Sequence, residues 1–124
     1  ENNKLNINSL IIDNNDKKNK TKVVCAKCES LILTPGKSTL SENEHSLPLM
    51  EQRKNTTPSD FEVEIFKKFW AVNDMFTFEN IGFSHTVETT KYLICADCEI
   101  GPIGYFDTPT KMSYIALERV KHVD

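Results

Sequence analysis

Val23-Val24-Cys25-Ala26-Lys27-Cys28-Glu29 returns later in the chain as Leu93-Ile94-Cys95-Ala96-Asp97-Cys98-Glu99, one seven-residue unit used twice. In each copy two apolar residues run into Cys-x-x-Cys, so a strand delivers the first thiol and a tight hairpin turn aims the second at the same point. Two such turns supply four thiolates, the tetrahedral shell that zinc prefers, and Cys25, Cys28, Cys95 and Cys98 are the expected ligands of one zinc ion. Four thiolates leave no open position for water, which favours a structural ion over a catalytic one. A dithiol redox centre is the other reading, but it needs a free thiolate, and the chain has only 4 cysteines. Between Cys28 and Cys95 lie 66 residues, against ~15 to 20 in a compact zinc ribbon. The ion therefore joins distant parts of a larger fold.

Outward from the two units, the 124 residues suffice for one domain and not for two independent cores. The 15 Lys and Arg against 18 Asp and Glu give a net charge of −3, a poor footprint for a nucleic-acid binder. No apolar run approaches the ~18 to 20 residues of a membrane span, and the first residues are Asn- and Lys-rich. Taking that start as it stands, the expectation is a cytosolic protein, where disulfides are rare. The patterns at Asn19-Lys20-Thr21 and Asn55-Thr56-Thr57 fit glycosylation acceptors, which matter only in a secreted chain.

Residues 1–22 are rich in Asn and Lys and read as a solvated, flexible tail, interrupted by Leu5, Ile7, Leu10, Ile11 and Ile12, which could dock as a strand or a short turn of helix. Residues 23–124 form the expected domain. Short β-rich runs occupy 23–25, 30–33, 92–95 and 113–120, with Pro35 and Gly36 marking the first turn. In the last run Ser113, Ile115, Leu117 and Arg119 share one face. Residues 41–60, polar and holding Pro48 and Pro58, read as a long mobile loop. Residues 60–73 fit a strand with a short helical turn, since Phe61, Val63 and Ile65 alternate while Ile65, Phe66, Phe69 and Trp70 suit one helical face. His45, His85 and His122 have no ligand spacing to one another or to the cysteines, and the glycines match no phosphate-cradling loop. The fold class so far is all-β, and a zinc-stabilised binding module is better supported than an enzyme.

Two stretches carry more than composition: Asn73-Asp-Met-Phe-Thr-Phe-Glu-Asn-Ile-Gly-Phe83 and Lys91-Tyr-Leu-Ile-Cys-Ala-Asp-Cys-Glu-Ile-Gly-Pro-Ile-Gly104. They resemble the zinc-containing Rab guanine-nucleotide-releasing factors, the Mss/Dss family, also called Rab-interacting factor. The resemblance runs from the first knuckle through Tyr114-Ile-Ala-Leu-Glu-Arg-Val120 and is thinnest between Ser41 and Asp60. It implies a β-tent, curved antiparallel sheets tied by the four-cysteine zinc. It also implies a monomeric binder of nucleotide-free Rab GTPases in vesicular transport, acting as exchange factor and chaperone. On matching positions it singles out Asp97, Asp74 and Met75, with Phe76, Asn80 and Ile81 as weaker neighbours. Phe78 and Phe83 read as core. Lys27 fills the position of Asp97 in the first unit, so the turn itself does not require a carboxylate. Competing classes are a methionine-sulfoxide reductase type enzyme of the same fold, which needs an extra cysteine, and a zinc-ribbon adaptor.

Overall fold

In a computed structural model, residues 10–12, 17–49 and 63–123 are described, His85 by its backbone alone. Short β-branched and aromatic runs between turn residues form strands here, and the eleven among the described residues all pair antiparallel. The first knuckle joins β1 (Lys22–Cys25) to β2 (Leu31–Leu33), and β11 (Val120–Val123) lies against the other edge of β1, making a three-stranded sheet.

A six-stranded sheet holds, in spatial order, β3 (Thr39–Ser41), β6 (Phe69–Val72), β10 (Met112–Ala116), β9 (Gly104–Asp107), β8 (Thr90–Cys95) and β7 (Ile81–Val87). Its registers put Leu40, Trp70, Ile115, Gly104, Leu93 and Phe83 in one row. Paired residues point to the same face, so this row, apart from Phe83 at its outer end, looks into the main core with Val23, Ile32, Leu33 and Ile103 from outside the sheet. Gly104 fits because the Tyr114 carbonyl oxygen occupies the place of any Cβ there. On the opposite face Tyr92, Tyr105 and Tyr114 form a cross-strand ladder beside Phe69. A two-stranded arm, β4 (His45–Pro48) with β5 (Val63–Phe66), covers part of it with Leu47 and Phe66.

The all-β expectation of antiparallel sheets gathered on four cysteines holds. Several local expectations change. His45–Pro48 is a strand inside the segment read as a loop, because burial of Leu47 beneath the arm outweighs its polar surroundings; residues 50–60 of that segment lie outside the described residues. The helical turn expected between 60 and 73 is replaced by two strands, β5 and β6, which separate at Lys67 and Lys68 and enter different sheets. The closing run stops as a strand at Ala116 and passes through a 3-10 turn, Leu117–Arg119, into β11. Leu117 is buried, and Arg119 is buried with its guanidinium donating to Pro48 O at 2.9 Å, Pro102 O at 2.5 Å and Glu64 Oε1 at 2.8 Å. Those partners offset the cost of burying its charge and tie the arm to the core.

The segment before Val23, expected as a solvated tail, contributes buried Leu10, Ile11, Asn19 and Thr21. Asn19 has 0 % exposure. Its Nδ2 donates to Thr21 O and Thr34 O, and its Oδ1 accepts from Lys37 N, Ser38 N and Ser38 Oγ. With its amide fully engaged, Asn19 is closed to glycosylation in the folded chain. Asn55 lies outside the described residues.

Candidate metal centre and its rim

The two knuckles are the same object built twice. In each, the first cysteine ends a strand: Cys25 closes β1 and Cys95 closes β8. Glu29 N donates to Cys25 O at 3.0 Å and Glu99 N to Cys95 O at 2.8 Å. Cys25 N donates to Ser30 O and Cys95 N to Ile100 O, at 2.9 and 3.0 Å. The residue after the second cysteine takes a left-handed backbone in both copies, Glu29 at φ 64° and Glu99 at φ 63°. That conformation strains a side chain other than glycine, and its repetition shows the turn being imposed by its position after the thiols.

The four Sγ atoms lie within 4.8 Å of one another. Across the knuckles, Cys25 Sγ is 3.6 Å from Cys98 Sγ, and Cys28 Sγ is 3.6 Å from Cys95 Sγ. A metal tetrahedron with bonds of about 2.3 Å has edges of about 3.8 Å, whereas a disulfide needs about 2.05 Å. The geometry fits a metal ion held by four sulfurs. Backbone N–H groups of Lys27 and Cys28 point at Cys25 Sγ, 3.4 and 3.5 Å away, and stabilise negative sulfur. As free thiols Cys28 and Cys95 differ: hydrogen bonding from Ser30 brings Cys28 down to about 6, while burial pushes Cys95 up to about 12. A cation among them removes that contrast, because a coordinating thiol is deprotonated outright.

The segment from Asp74 to Ile81 leads into the knuckle hairpins, which its last three residues contact. Asp74 caps a 3-10 turn, Met75–Thr77, by accepting from Phe76 N at 2.9 Å. Phe76, at the tip, is 96 % exposed. Met75 is half-buried against the main core, with Ser113 Oγ 2.9 Å from its sulfur. Glu79 N then donates to Ile32 O, Asn80 Nδ2 to Leu31 O at 2.7 Å, and Asn80 O accepts from Ala96 N at 2.9 Å. Asn80 therefore bridges the two knuckle hairpins, and Ile81 pairs directly with Cys95. Asp97 is exposed on the second turn and accepts a hydrogen bond from Ser30 Oγ, which in turn contacts Cys28 Sγ at 3.2 Å.

Of the six rim residues picked out by the sequence, the structure brings Asn80, Ile81 and Asp97 against the cysteines and places Asp74, Met75 and Phe76 on the adjoining turn. Asn80 and Ile81 tie the cysteine hairpins together, while Asp97 and Phe76 are exposed. Phe78 is buried as expected, but Phe83 is about half exposed, packing edge-on to Phe106 with the Lys91 ammonium 5.2 Å from its ring centre. Sequence reasoning missed Ser30, although Ser30 in the first copy against Ile100 in the second is the same kind of contrast as Lys27 against Asp97. His45 and His122 take no part in the centre: His45 stacks on Tyr105, and His122 accepts a hydrogen bond from Trp70.

A family model for the Mss4 protein matches residues 18–122. A guanine nucleotide exchange factor MSS4 homolog of Drosophila melanogaster is 49 % identical over 109 residues, which is 88 % of this chain and 89 % of that protein. The MSS4 homolog of Schizosaccharomyces pombe is 28 % identical over 88 residues, 70 % of this chain and 82 % of that protein. With both knuckles and the rim segment inside the matched span, the chain belongs to the Mss4 family.

Proposed function

We propose that this chain is a guanine nucleotide exchange factor and chaperone for small GTPases of the Rab group, that it acts as a monomer in the cytosol during vesicular transport, and that its ion is zinc. One observation carries the reading beyond the family: the four cysteines that could hold an ion would spend every thiolate on it, and exposed side chains, Asp97 on the second turn and Phe76 on the 3-10 turn before Asn80, accompany them. Such an ion has no site for substrate, so its use is to hold a surface in shape. Zinc suits four thiolates better than the harder divalent ions do.

Phe76 and Asp97 supply both ingredients of a docking surface, an aromatic anchor and an exposed carboxylate. Asp97 competes for groups of the GTPase that otherwise face nucleotide phosphate or its magnesium ion. Linkage fixes the rest. A protein that lowers a GTPase's affinity for nucleotide by some factor is itself bound less tightly by the loaded GTPase, by the same factor. The rim therefore selects the nucleotide-free form, and incoming nucleotide displaces it. Ser30 keeps the Asp97 carboxylate in place from the opposite knuckle.

The experiment is to mix the purified chain with a panel of Rabs carrying fluorescent GDP and follow release, then add excess GTP to any complex. Release, or a stable complex that GTP dissociates, is expected for at least one Rab. Asp97→Ala should weaken binding by ~1–3 kcal/mol at unchanged metal content, and Ser30→Ala by less. Failure to release nucleotide or form a complex across the panel would sink the proposal.

A further inference from the structure

At the far end of the β7–β8 hairpin from the cysteines, a groove of about 460 Å³ opens between the hairpin and the two-stranded arm. Glu44, His45 and Ser46 line it from the arm, and Glu88, Thr90 and Tyr92 from the hairpin. From Thr90 to Cys95 the strand covers about 17 Å at roughly 3.4 Å per residue. The groove and the metal rim are thus separate places, able to be occupied together.

Its chemistry is one-sided. Both ionisable carboxylates of the lining, Glu44 and Glu88, are exposed and make no ion pair among the described residues. Among the described residues no lysine or arginine lines it; Lys67 and Lys68 line an adjacent hollow that Glu44 also borders. The aromatic wall is fixed rather than adaptable. The His45 ring lies on Tyr105, centres 3.7 Å apart and planes at 12°, and Tyr105 lies on Tyr114 at 4.9 Å. Asn43 Nδ2 holds the Tyr105 hydroxyl at 3.0 Å. Burial holds His45 below its usual range, against the pull of Asp107, and raises Tyr92, so both rings are neutral at pH 7. Two carboxylates beside neutral ring faces suit an extended cationic side chain, whose stem lies on the rings while its head reaches the oxygens.

A second observation concerns backbone. Among the described residues β4 has a strand neighbour on one side only, β5, and no β5 residue lines the groove. The groove therefore adjoins the edge of β4 that no described strand pairs with, where an extended segment can add as a further strand. We propose that this groove binds a Lys- or Arg-bearing extended segment of a partner protein, which pairs along β4 and places its basic side chain between Glu44 and Glu88. The openness of the groove is why a peptide is named: it cannot strip water from a small free cation, and main-chain pairing supplies what the charge alone does not.

The test uses the whole metal-loaded chain labelled with ¹⁵N, titrated with the capped peptide Thr-Val-Thr-Lys-Thr-Val-Thr, its arginine version and its norleucine version. Saturable amide shifts at 44–46 and 88–92 are expected with the two basic peptides, and the Glu44→Gln, Glu88→Gln double variant should weaken them roughly tenfold. Glu88→Lys should turn the preference toward a glutamate peptide. Both sites are exposed, and an unchanged melting temperature certifies the fold. Equal shifts with norleucine, shifts elsewhere only, binding indifferent to the double variant, or spermidine binding as tightly as the peptide would each overturn the proposal. None of these readings involves a GTPase, so they stand or fall apart from the exchange activity.

Discussion

At the scale of single residues, the two histidines described with side chains are neutral structural parts, and one makes stability depend on pH. Trp70 Nε1 donates to His122 Nε2 at 3.0 Å, and burial lowers the His122 pKa from its usual 6.5. A proton on that nitrogen would meet the indole donor head-on. Below about 6.5 the unfolded chain takes up a proton that the folded one resists, so the contribution is whole above that pH and is lost as pH falls through the folded value. Melts from pH 8 to 5 should show the native chain losing more stability on the acid side than His122→Gln, whose amide oxygen can accept from Trp70 without titrating. Identical pH profiles would remove His122 from the account. The cysteines were readable because ligand spacing is local. Asn80 was not recognisable as a bridge, because Leu31 and Ala96 meet it only once the sheets have formed.

At the scale of elements, the legible strands were those whose own residues alternate or run apolar, such as β1, β8 and the first half of the closing run. β4 lacks any such signal: it contains a histidine, a serine and a proline, and it exists because β5 pairs with it and Leu47 reaches the tyrosine ladder. The described part of the N-terminal segment was misleading for a related reason, since a polar residue need not be solvated. Asn19 is polar and fully enclosed, pinning residues 17–21 to the turn between β2 and β3. Asn19→Ala leaves two amide donors and two carbonyls to find other partners, and should cost ~2–4 kcal/mol in urea unfolding, with a single transition retained. A loss under about 0.5 kcal/mol would mean that this segment folds independently of the rest.

At the scale of the molecule, the metal centre is where the three-stranded and six-stranded sheets are joined, since Cys25 ends β1 and Cys95 ends β8. Four-sulfur centres in small domains are worth on the order of 10 kcal/mol, comparable to a domain's whole stability. A strong chelator should therefore abolish the near-ultraviolet dichroism and lower the melting temperature by tens of degrees, with recovery on adding zinc. Unchanged dichroism after measured loss of the metal would show that the sheets hold without it. One half of this centre is in hand long before the other when the chain is synthesised. Cys25 and Cys28 leave the ribosome as an open pair of thiols, and the remaining two ligands follow only after 66 further residues. Until then the early pair has no closed shell and is open to oxidation. Capture of an ion by all four cysteines would thus be a late step, and a loaded site would certify that both halves have been made and brought together.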